Sequence, residues 1–182
     1  MTDTTATDGA PARRSFVVPD ALAARGVSLR RQTEEDYPFL CRLYVSVRWG
    51  ELQAVPWTDA QRLAFLEDQY SKQHLHYTTH YTRSDFLIIE RDGVPVGRLC
   101  IDRGHPSDLR VVDIALLPEA RGAAIGGDLL RAVIAEAEAE GKVTSIHVEQ
   151  ENPAKRLYER LGFRDVSQTG PYWLMQRPPT GA

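Results

Sequence analysis

The sequence has few cysteines and no excess of basic residues. Its two cysteines, Cys41 and Cys100, show neither disulfide-like nor metal-like spacing, and each lies in an apolar segment, so we expect two buried thiols. The 22 Lys and Arg residues are outnumbered by 25 Asp and Glu, which gives a formal net charge of −3 over 182 residues. This balance argues against a nucleic acid or an anionic membrane as the partner.

Long hydrophobic runs and internal repeats are also absent from the sequence. No stretch approaches the roughly 18 apolar residues of a membrane-spanning helix, and the N-terminus lacks the apolar core of a signal peptide. We therefore expect a cytoplasmic protein. Residues 1–26 are rich in Thr, Ala, Asp, Gly and Pro without sustained periodicity, which predicts a flexible tail. Residues 27–177 would then form one domain, and residues 178–182 a short C-terminal tail.

The most informative stretch runs from residue 111 to residue 137. An apolar run, Val111–Leu117, is stopped by Pro118 and followed by a turn of small residues at 121–127. Apolar residues then recur at helical spacing, at Ile125, Leu129, Leu130, Val133, Ile134 and Ala137. The pattern predicts a strand, a tight loop and a helix whose apolar face packs on a sheet.

The turn at residues 121–127 is a candidate binding site for a phosphate. A helix N-terminus leaves its first backbone N–H groups unpaired and carries a partial positive charge, so it binds anions where the backbone is accessible. Small residues give that access at Gly122, Ala123, Ala124, Gly126 and Gly127. The loop lacks the Lys-Ser/Thr of a nucleotide P-loop and the G-x-G-x-x-G of a dinucleotide site, so a different phosphate ligand is expected.

This loop resembles that of the GCN5-related N-acetyltransferases (GNAT). In that family Gln/Arg-x-x-Gly-x-Gly/Ala lies between a strand and a helix, and here residues 121–126 read Arg-Gly-Ala-Ala-Ile-Gly. Ala124 replaces the first glycine of the family pattern. The departure bears on how closely a pyrophosphate approaches the backbone, although alanine keeps its N–H.

A second segment resembles the same family. The predicted strand Val143–Glu149 is followed by NPAKRLYERLGF at residues 152–163, similar to the family's Asn-led helix that ends Leu-Tyr-x-x-Leu-Gly-Phe. Asn152 suits a helix N-cap, Pro153 the first helical position and Gly162 the C-terminal cap. The two motifs stand in the family's order, and the resemblance covers roughly residues 27–177.

The resemblance implies an α/β (α+β) fold. The sheet would be mixed and mostly antiparallel, with six to seven strands, flanking helices and two splayed central parallel strands. Periodic apolar residues and capping signals predict helices over residues 33–47 and 58–76. Asp92-Gly93 predicts a β-hairpin between residues 85–91 and 94–103. Closing strands are predicted at residues 163–166 and 172–176.

The resemblance also implies acetyl coenzyme A (acetyl-CoA) as the co-substrate and no metal. In the family, coenzyme A lies between the splayed strands, with its pantetheine arm on the central strand and its pyrophosphate on the loop. The expected contacts are Ile114, Ala115, Leu116, Leu117, Arg121, Gly122, Ala123, Ala124, Ile125, Gly126, Gly127, Asn152 and Tyr158. His76 and His80 have the spacing of a helical zinc pair, but no third ligand follows them, so we predict no metal site.

Acetyl transfer to an amine needs an acid for the departing thiolate and a neutral attacking nitrogen. Tyr158 occupies the position of the family's general acid, and a phenol with a pKa of about 10 is protonated at neutral pH. Its alternative role is to anchor coenzyme A. Family members often carry a Glu base where this chain has Arg110. The remaining candidates for the base are Asp113, Glu149, His147 and Glu90. Asp113 is the first choice, because a carboxylate within an apolar run must be paired or functional.

The acceptor site of the family lies under the first two helices. The polar and aromatic residues of that region are Trp49, Glu51, Trp57, Gln69, Tyr77 and Tyr81. From this set and from the strand before Asn152, we predict acceptor contacts at Trp49, Glu51, Tyr81 and Glu149. Packing between the helices is the alternative role for each aromatic residue. The acceptor would be a small-molecule or peptide amine, and a homodimer is compatible with the sequence.

The sequence thus predicts an N-acetyltransferase that moves an acetyl group from acetyl-CoA to a primary amine by direct attack in a ternary complex. Two alternatives stay open. Ala124 and Arg110 favour a non-catalytic module that binds or senses acyl-CoA. The segment from Trp49 to Trp57 favours a protein-interaction domain.

Overall fold

The structure, a computed structural model, describes residues 16–180 and contains one seven-stranded sheet. The strands are β1 Val27–Arg31, β2 Asp85–Arg91, β3 Val94–Asp102, β4 Asp108–Leu116, β5 Val143–Glu149, β6 Arg164–Thr169 and β7 Tyr172–Arg177. Their order is β1-β2-β3-β4-β5-β7-β6. Only β4 and β5 pair in parallel among these strands, and the other pairs are antiparallel. The predicted fold class is therefore confirmed.

The α-helices of the described part are α1 Asp20–Ala23, α2 Tyr37–Arg48, α3 Asp59–His80, α4 Ile125–Ala139 and α5 Lys155–Arg160. The first predicted helix begins with a 3₁₀ turn, Glu34–Asp36, and the second extends to His80 rather than to residue 76. Thr58 and Gln61 form the capping box that starts α3, with the Thr58 N–H donating to Gln61 Oε1 at 2.9 Å. None of the helices within residues 16–180 is long and apolar enough to cross a lipid bilayer.

The two central strands separate partway along their length. Backbone pairing joins Asp108–Val111 of β4 to Val143–Ile146 of β5. Beyond this point β4 continues through Val112 to Leu116 and β5 through His147 to Glu149. The two strands therefore diverge, as predicted, and β4 keeps an open edge toward β5.

Two apolar cores cover the two faces of the sheet. On one face α4 and α5 pack on the central strands, with the buried side chains of Leu129, Leu130, Val133, Tyr158 and Phe163. On the other face α2 and α3 pack through Phe39, Leu40, Leu43, Tyr70 and Ile88. Of the two thiols, Cys100 is fully buried and Cys41 is half-buried. Three ligand-sized cavities lie where these helices meet the diverging ends of β4 and β5.

Residues 16–26 differ from the flexible tail that the sequence predicted. Helix α1 places Leu22 in the core with no exposed surface, and Phe16 and Val18 pack against the same core. The folded unit thus includes chain that precedes residue 27, while residues 1–15 lie outside the described residues. At the other end Thr180 donates a hydrogen bond to Glu138 of α4, and residues 181–182 lie outside the described part.

Candidate functional site

The loop between β4 and α4 presents unpaired backbone amides. In the described part of the chain, the first N–H at this helix start with a backbone partner is that of Asp128, which donates to the Ala124 carbonyl at 2.9 Å. No side chain within residues 16–180 caps this helix. The N–H groups of Ile125, Gly126 and Gly127 are therefore free to bind an anion.

Ala124 explains why this family pattern favours glycine at its position. Its φ is 57°, in the left-handed region, and it forms the N-cap of α4. Gly122, two residues earlier, also has a positive φ, of 77°. An alanine in this conformation costs about 1–2 kcal/mol because its Cβ approaches the following carbonyl. The backbone nevertheless adopts the conformation that the loop requires.

A cavity of about 500 Å³ lies between this loop, β4 and α5. Most of the predicted cofactor contacts line it, namely Ile114, Ala115, Leu116, Arg121, Gly122, Ala124, Ile125, Gly126, Gly127 and Tyr158. Leu117 and Ala123 do not line it, because the first packs on the α2–α3 core and the second on the α4 core. Arg131 and Arg160, which the sequence analysis missed, add positive charge to the lining.

The open edge of β4 offers further polar backbone groups. The Leu117 N–H donates to the Val96 carbonyl at 2.9 Å, toward β3. Because successive residues of a strand turn their N–H and C=O groups to opposite edges, Ile114 and Leu116 turn theirs toward β5. The Arg121 Nε donates to the Leu116 carbonyl at 3.0 Å. An extended ligand could pair with the remaining groups as an added strand.

Two more cavities continue from the first toward α2 and α3. One, of about 550 Å³, lies at the divergence of β4 and β5 and is lined by Tyr158, Asn152 and Glu149. The other, of about 210 Å³, lies below the two helices and also contains Asn152 and Glu149 in its wall. Ile114 and Ala115 line all three cavities. The three cavities therefore adjoin one another along β4, and together they are called the path below.

Tyr158 lies on α5 where the first two cavities meet. Its side chain is 6% exposed, and its ring lies 6.0 Å from that of Phe163. Burial raises the pKa of the phenol above its usual value, and the negative charge of Asp113 raises it further. The hydroxyl is therefore protonated at neutral pH. Asn152 caps the turn before α5 by accepting from the Ala154 N–H at 2.9 Å.

Asp113 is bound to a buried arginine that the sequence analysis missed. Arg98 on β3 donates to Asp113 Oδ2 from Nε at 2.6 Å, and its Nη2 lies 2.5 Å from the same oxygen. The guanidinium also contacts Gln73 Oε1 at 3.1 Å and lies 5.6 Å from the centre of the Tyr77 ring. This cluster forms the floor of the smallest cavity.

Glu149 and Glu51 share an arginine at the side of the same cavity. Arg48 Nη2 lies 3.1 Å from Glu149 Oε1 and 2.8 Å from Glu51 Oε2. The Tyr172 hydroxyl donates to Glu149 Oε1 at 3.1 Å. Both predicted glutamates therefore lie in the wall, held by side chains that the sequence did not identify.

The other candidates for the base divide between two places. His147 lines the smallest cavity, and burial together with the nearby positive charge of Arg110 lowers its pKa, which keeps the imidazole neutral at pH 7. Glu90 accepts from Arg30 Nε at 2.7 Å on the β1–β2 side of the sheet. The structure therefore brings Asp113, His147 and Glu149 together and leaves Glu90 elsewhere.

Two predicted acceptor contacts lie away from this path. Trp49 lines a separate groove of about 760 Å³ between α2 and α3, because it starts a 3₁₀ turn after α2. Tyr81 ends α3 and packs on Tyr77, with ring centres 5.6 Å apart. Of the wider set, Tyr77 lines the smallest cavity. The ring centres of Trp57 and Phe65 lie 5.2 Å apart, so Trp57 has the packing role that the sequence analysis gave as its alternative.

Side chains that could bind a metal are scattered over residues 16–180. Within residues 16–180 no group of three or more His, Cys, Asp and Glu side chains could hold a metal ion. The rings of His76 and His80 stack on each other, with their centres 4.3 Å apart.

Arg98, which the sequence analysis missed, had one signal in the sequence, its position inside the apolar run of β3. A charge in such a run must be neutralised by a buried partner.

Known proteins resemble this chain in sequence pattern and in fold. The protein-family model described as the acetyltransferase (GNAT) family matches residues 47–163. A search of curated proteins found no match. Solved structures with a similar fold include a PaiA N-acetyltransferase from Thermoplasma acidophilum in complex with coenzyme A, at 18% identity and a TM-score of 0.63, covering 84% of this chain and 98% of that one.

Two further solved structures share the fold. YncA from Salmonella typhimurium, a putative acetyltransferase with its cofactor acetyl-CoA, is 22% identical, with a TM-score of 0.51 and coverage of 86% of this chain and 96% of that one. The ribosomal-protein-S18-alanine N-acetyltransferase from Escherichia coli is 19% identical, with a TM-score of 0.55 and the same two coverages. Because the family model covers more than half of the chain, the protein belongs to the acetyltransferase (GNAT) family.

Proposed function

We propose that the protein is an N-acetyltransferase that moves an acetyl group from acetyl-CoA to a primary amine by direct attack in a ternary complex. The observation that carries the proposal is the position of Tyr158, whose protonated phenol lies where the loop cavity meets the cavity between β4 and β5. A donor and an acceptor entering from opposite ends would meet beside this hydroxyl. Family membership supports acetyl transfer as the chemistry.

The donor would occupy the loop cavity and the open edge of β4. Its pyrophosphate would accept hydrogen bonds from the amides at the start of α4, with Arg121, Arg131 and Arg160 supplying positive charge. Its pantetheine arm would lie along Ile114 and Leu116, whose polar backbone groups face β5. The PaiA and YncA structures, named above, hold coenzyme A and acetyl-CoA respectively.

In the proposed reaction the acceptor nitrogen attacks the thioester carbonyl carbon. A new C–N bond forms, the C–S bond breaks, and the departing thiolate takes the phenolic proton of Tyr158. The proton lost from the amine passes to a base in the smallest cavity. The phenoxide then regains a proton from solvent as coenzyme A leaves.

The base is proposed to be one of three side chains that line the smallest cavity, those of Asp113, His147 and Glu149. Asp113 remains our first candidate, although two nitrogens of Arg98 meet its Oδ2, so Oδ1 is the atom that would take the proton. His147 is a neutral imidazole, and Glu149 also lines the cavity of about 550 Å³ that Tyr158 lines. Comparing Asp113→Asn, His147→Gln and Glu149→Gln in single-turnover rates would identify the base. The variant that lacks the base should lose the acidic limb of the pH–rate profile, and the other two variants should keep it.

The acceptor is proposed to be a small-molecule or peptide amine. Three carboxylates, those of Glu51, Asp113 and Glu149, and two guanidiniums, those of Arg48 and Arg98, line the small cavity, so its balance is slightly acidic. A cationic amine is therefore favoured over an anionic acceptor. A volume of about 210 Å³ admits the reacting end of the acceptor rather than a folded chain.

The test is a thiol-release assay with acetyl-CoA and a broad panel of primary amines, with product mass measured for each positive. We expect at least one amine to gain a single acetyl group. Tyr158→Phe should lower kcat by about 100-fold and leave the Kd of acetyl-CoA unchanged. Binding of acetyl-CoA without turnover of any amine, together with no effect of Tyr158→Phe on thiol release, would support the alternative of a non-catalytic acyl-CoA module.

A further inference from the structure

The chain before β1 is fixed against the loop that starts α4. Leu22 is completely buried, and the Gly26 carbonyl accepts from the Asp92 N–H at 2.8 Å at the tip of the β2–β3 hairpin. Gly26 has a φ of 75°, a left-handed conformation that favours glycine. The residue between these two anchors, Arg25, therefore has a defined position.

The Arg25 side chain reaches the loop from that position. Its Nη2 donates to the Ala123 carbonyl, and its Nη1 lies 3.2 Å from Asp128 Oδ2 in the first turn of α4. The Arg25 backbone N–H donates to the Leu22 carbonyl at 2.9 Å, which fixes the Arg25 backbone next to the buried leucine. Arg25 precedes the segment matched by the family model, residues 47–163.

The bond to Ala123 fixes the orientation of one peptide group. In a trans peptide the C=O and the following N–H point in opposite directions, and the described chain has no cis bonds. With the Ala123 carbonyl turned to Arg25, the Ala124 N–H points away from Arg25, and Ala124 lines the loop cavity. This same peptide precedes a non-glycine residue with a φ of 57°, where a left-handed conformation is disfavoured.

We propose that Arg25 is a positioning residue for the cofactor phosphates: it holds the Ala123–Ala124 peptide so that the Ala124 N–H faces the cavity. The inference rests on the proposed acetyl-CoA site. It explains how this chain tolerates alanine in its loop, because a side chain from outside the loop holds a conformation that glycine would adopt freely. Neutralising Asp128 is a second effect of the same guanidinium.

The test compares acetyl-CoA binding and kinetics in wild type, Arg25→Ala and Arg25→Lys. Arg25→Ala should raise the Kd and the KM for acetyl-CoA about fivefold, since a partly exposed charged hydrogen bond is lost, and should leave kcat and Tm unchanged. Arg25→Lys, which keeps a charged donor, should be intermediate. Arg91→Ala removes the same charge from a side chain that is 49% exposed and should bind as wild type does.

A second background separates peptide orientation from the neutralisation of Asp128. In Asp128→Asn the carboxylate that Arg25 neutralises is gone, and Arg25→Ala should still raise the Kd about fivefold, since the Ala123 bond is lost in both. Loss of the effect in this background would overturn the inference, as would equal affinity of wild type and Arg25→Ala. Failure of the wild type itself to bind acetyl-CoA would instead overturn the proposed function.

Discussion

At the residue scale, the loop carries a cost at Ala124 that a single substitution can remove. Ala124→Gly should raise the free energy of unfolding by about 1 kcal/mol, because glycine adopts a φ of 57° without the Cβ contact and loses part of that gain as entropy. Urea denaturation measures the change. A destabilised Ala124→Gly would mean that the left-handed conformation is not strained in this loop.

The pKa of Tyr158, also at the residue scale, predicts how kcat depends on pH. Burial and the charge of Asp113 raise the pKa of its phenol, and the proton-donating form is the protonated one. A raised pKa moves the alkaline loss of activity to higher pH, so kcat should not fall with this group's titration below about pH 10. A pH–rate profile for the amine substrate checks this. An alkaline limb near pH 8 that disappears in Tyr158→Phe would contradict the assignment.

At the scale of elements, the ion pair of Arg98 and Asp113 joins side chains of β3 and β4. Arg98 is 6% exposed, so removing Asp113 leaves an unpaired buried charge. Asp113→Ala should therefore lower the free energy of unfolding by about 3–5 kcal/mol, whereas Arg98→Met with Asp113→Leu should cost far less. Chemical denaturation of both variants measures this.

The outcome decides how activity data on Asp113 are interpreted. If Asp113→Ala lowers stability by less than about 1 kcal/mol, the ion pair is not structural, and loss of activity would point to catalysis. If stability falls as expected, inactivity of that variant alone says nothing about the base. Asp113→Asn, which keeps the shape and an acceptor oxygen, is the better kinetic variant.

Element by element, the sequence predicted what local patterns encode. The strand, turn and helix of residues 111–137 follow from periodicity, and the proposed phosphate site follows from the small residues of the turn. The pairing of Arg98 with Asp113 could not be predicted, because a register shift at Cys100 and Ile101 decides which residues of β3 and β4 lie side by side. Residue alternation along each strand excludes a slip of one residue but does not distinguish registers that differ by two residues.

The acceptor side was less predictable for a related reason. Trp49 and Tyr81 were chosen by residue type, and each turned out to face another helix or its own neighbours. Arg48, one residue before Trp49, faces the cavity instead. Where a helix ends and its chain turns, the direction of a side chain depends on the tertiary packing of the ends, which the sequence pattern does not contain.

At the scale of the whole molecule, the chain before β1 is part of the folded unit. Leu22→Ala should lower the free energy of unfolding by about 2–5 kcal/mol, because it leaves a cavity in a side-chain site with no exposed surface. Val17→Ala is the control, since Val17 is 80% exposed and its truncation should change stability by less than about 0.5 kcal/mol. Equal, small effects of both would mean that this segment is only loosely attached.

The reason that the sequence did not predict this packing is also one of scale. The helix α1 has four residues, too few for a periodic pattern, and its single buried leucine stands among residues typical of disordered chain. The core that it joins includes Leu129 and Val133 of α4, which are more than a hundred positions away. Such a contact is a property of the assembled fold rather than of the segment.

The measurement that tests the central claim most directly is a calorimetric titration of acetyl-CoA into the wild type and Gly126→Asp. A Cβ at residue 126 would lie 3.6 Å from Leu116 Cδ1 and 4.0 Å from Ile114 Cδ1, so the protein accommodates a side chain whose carboxylate then lies beside the loop cavity. We expect one-to-one binding to the wild type and an affinity about tenfold lower in Gly126→Asp, because the added negative charge repels the phosphates, with no loss of thermal stability, because an acidic residue suits the first turn of a helix. No binding to the wild type at millimolar acetyl-CoA, or equal affinity of both proteins, would contradict the placement of the cofactor on this loop.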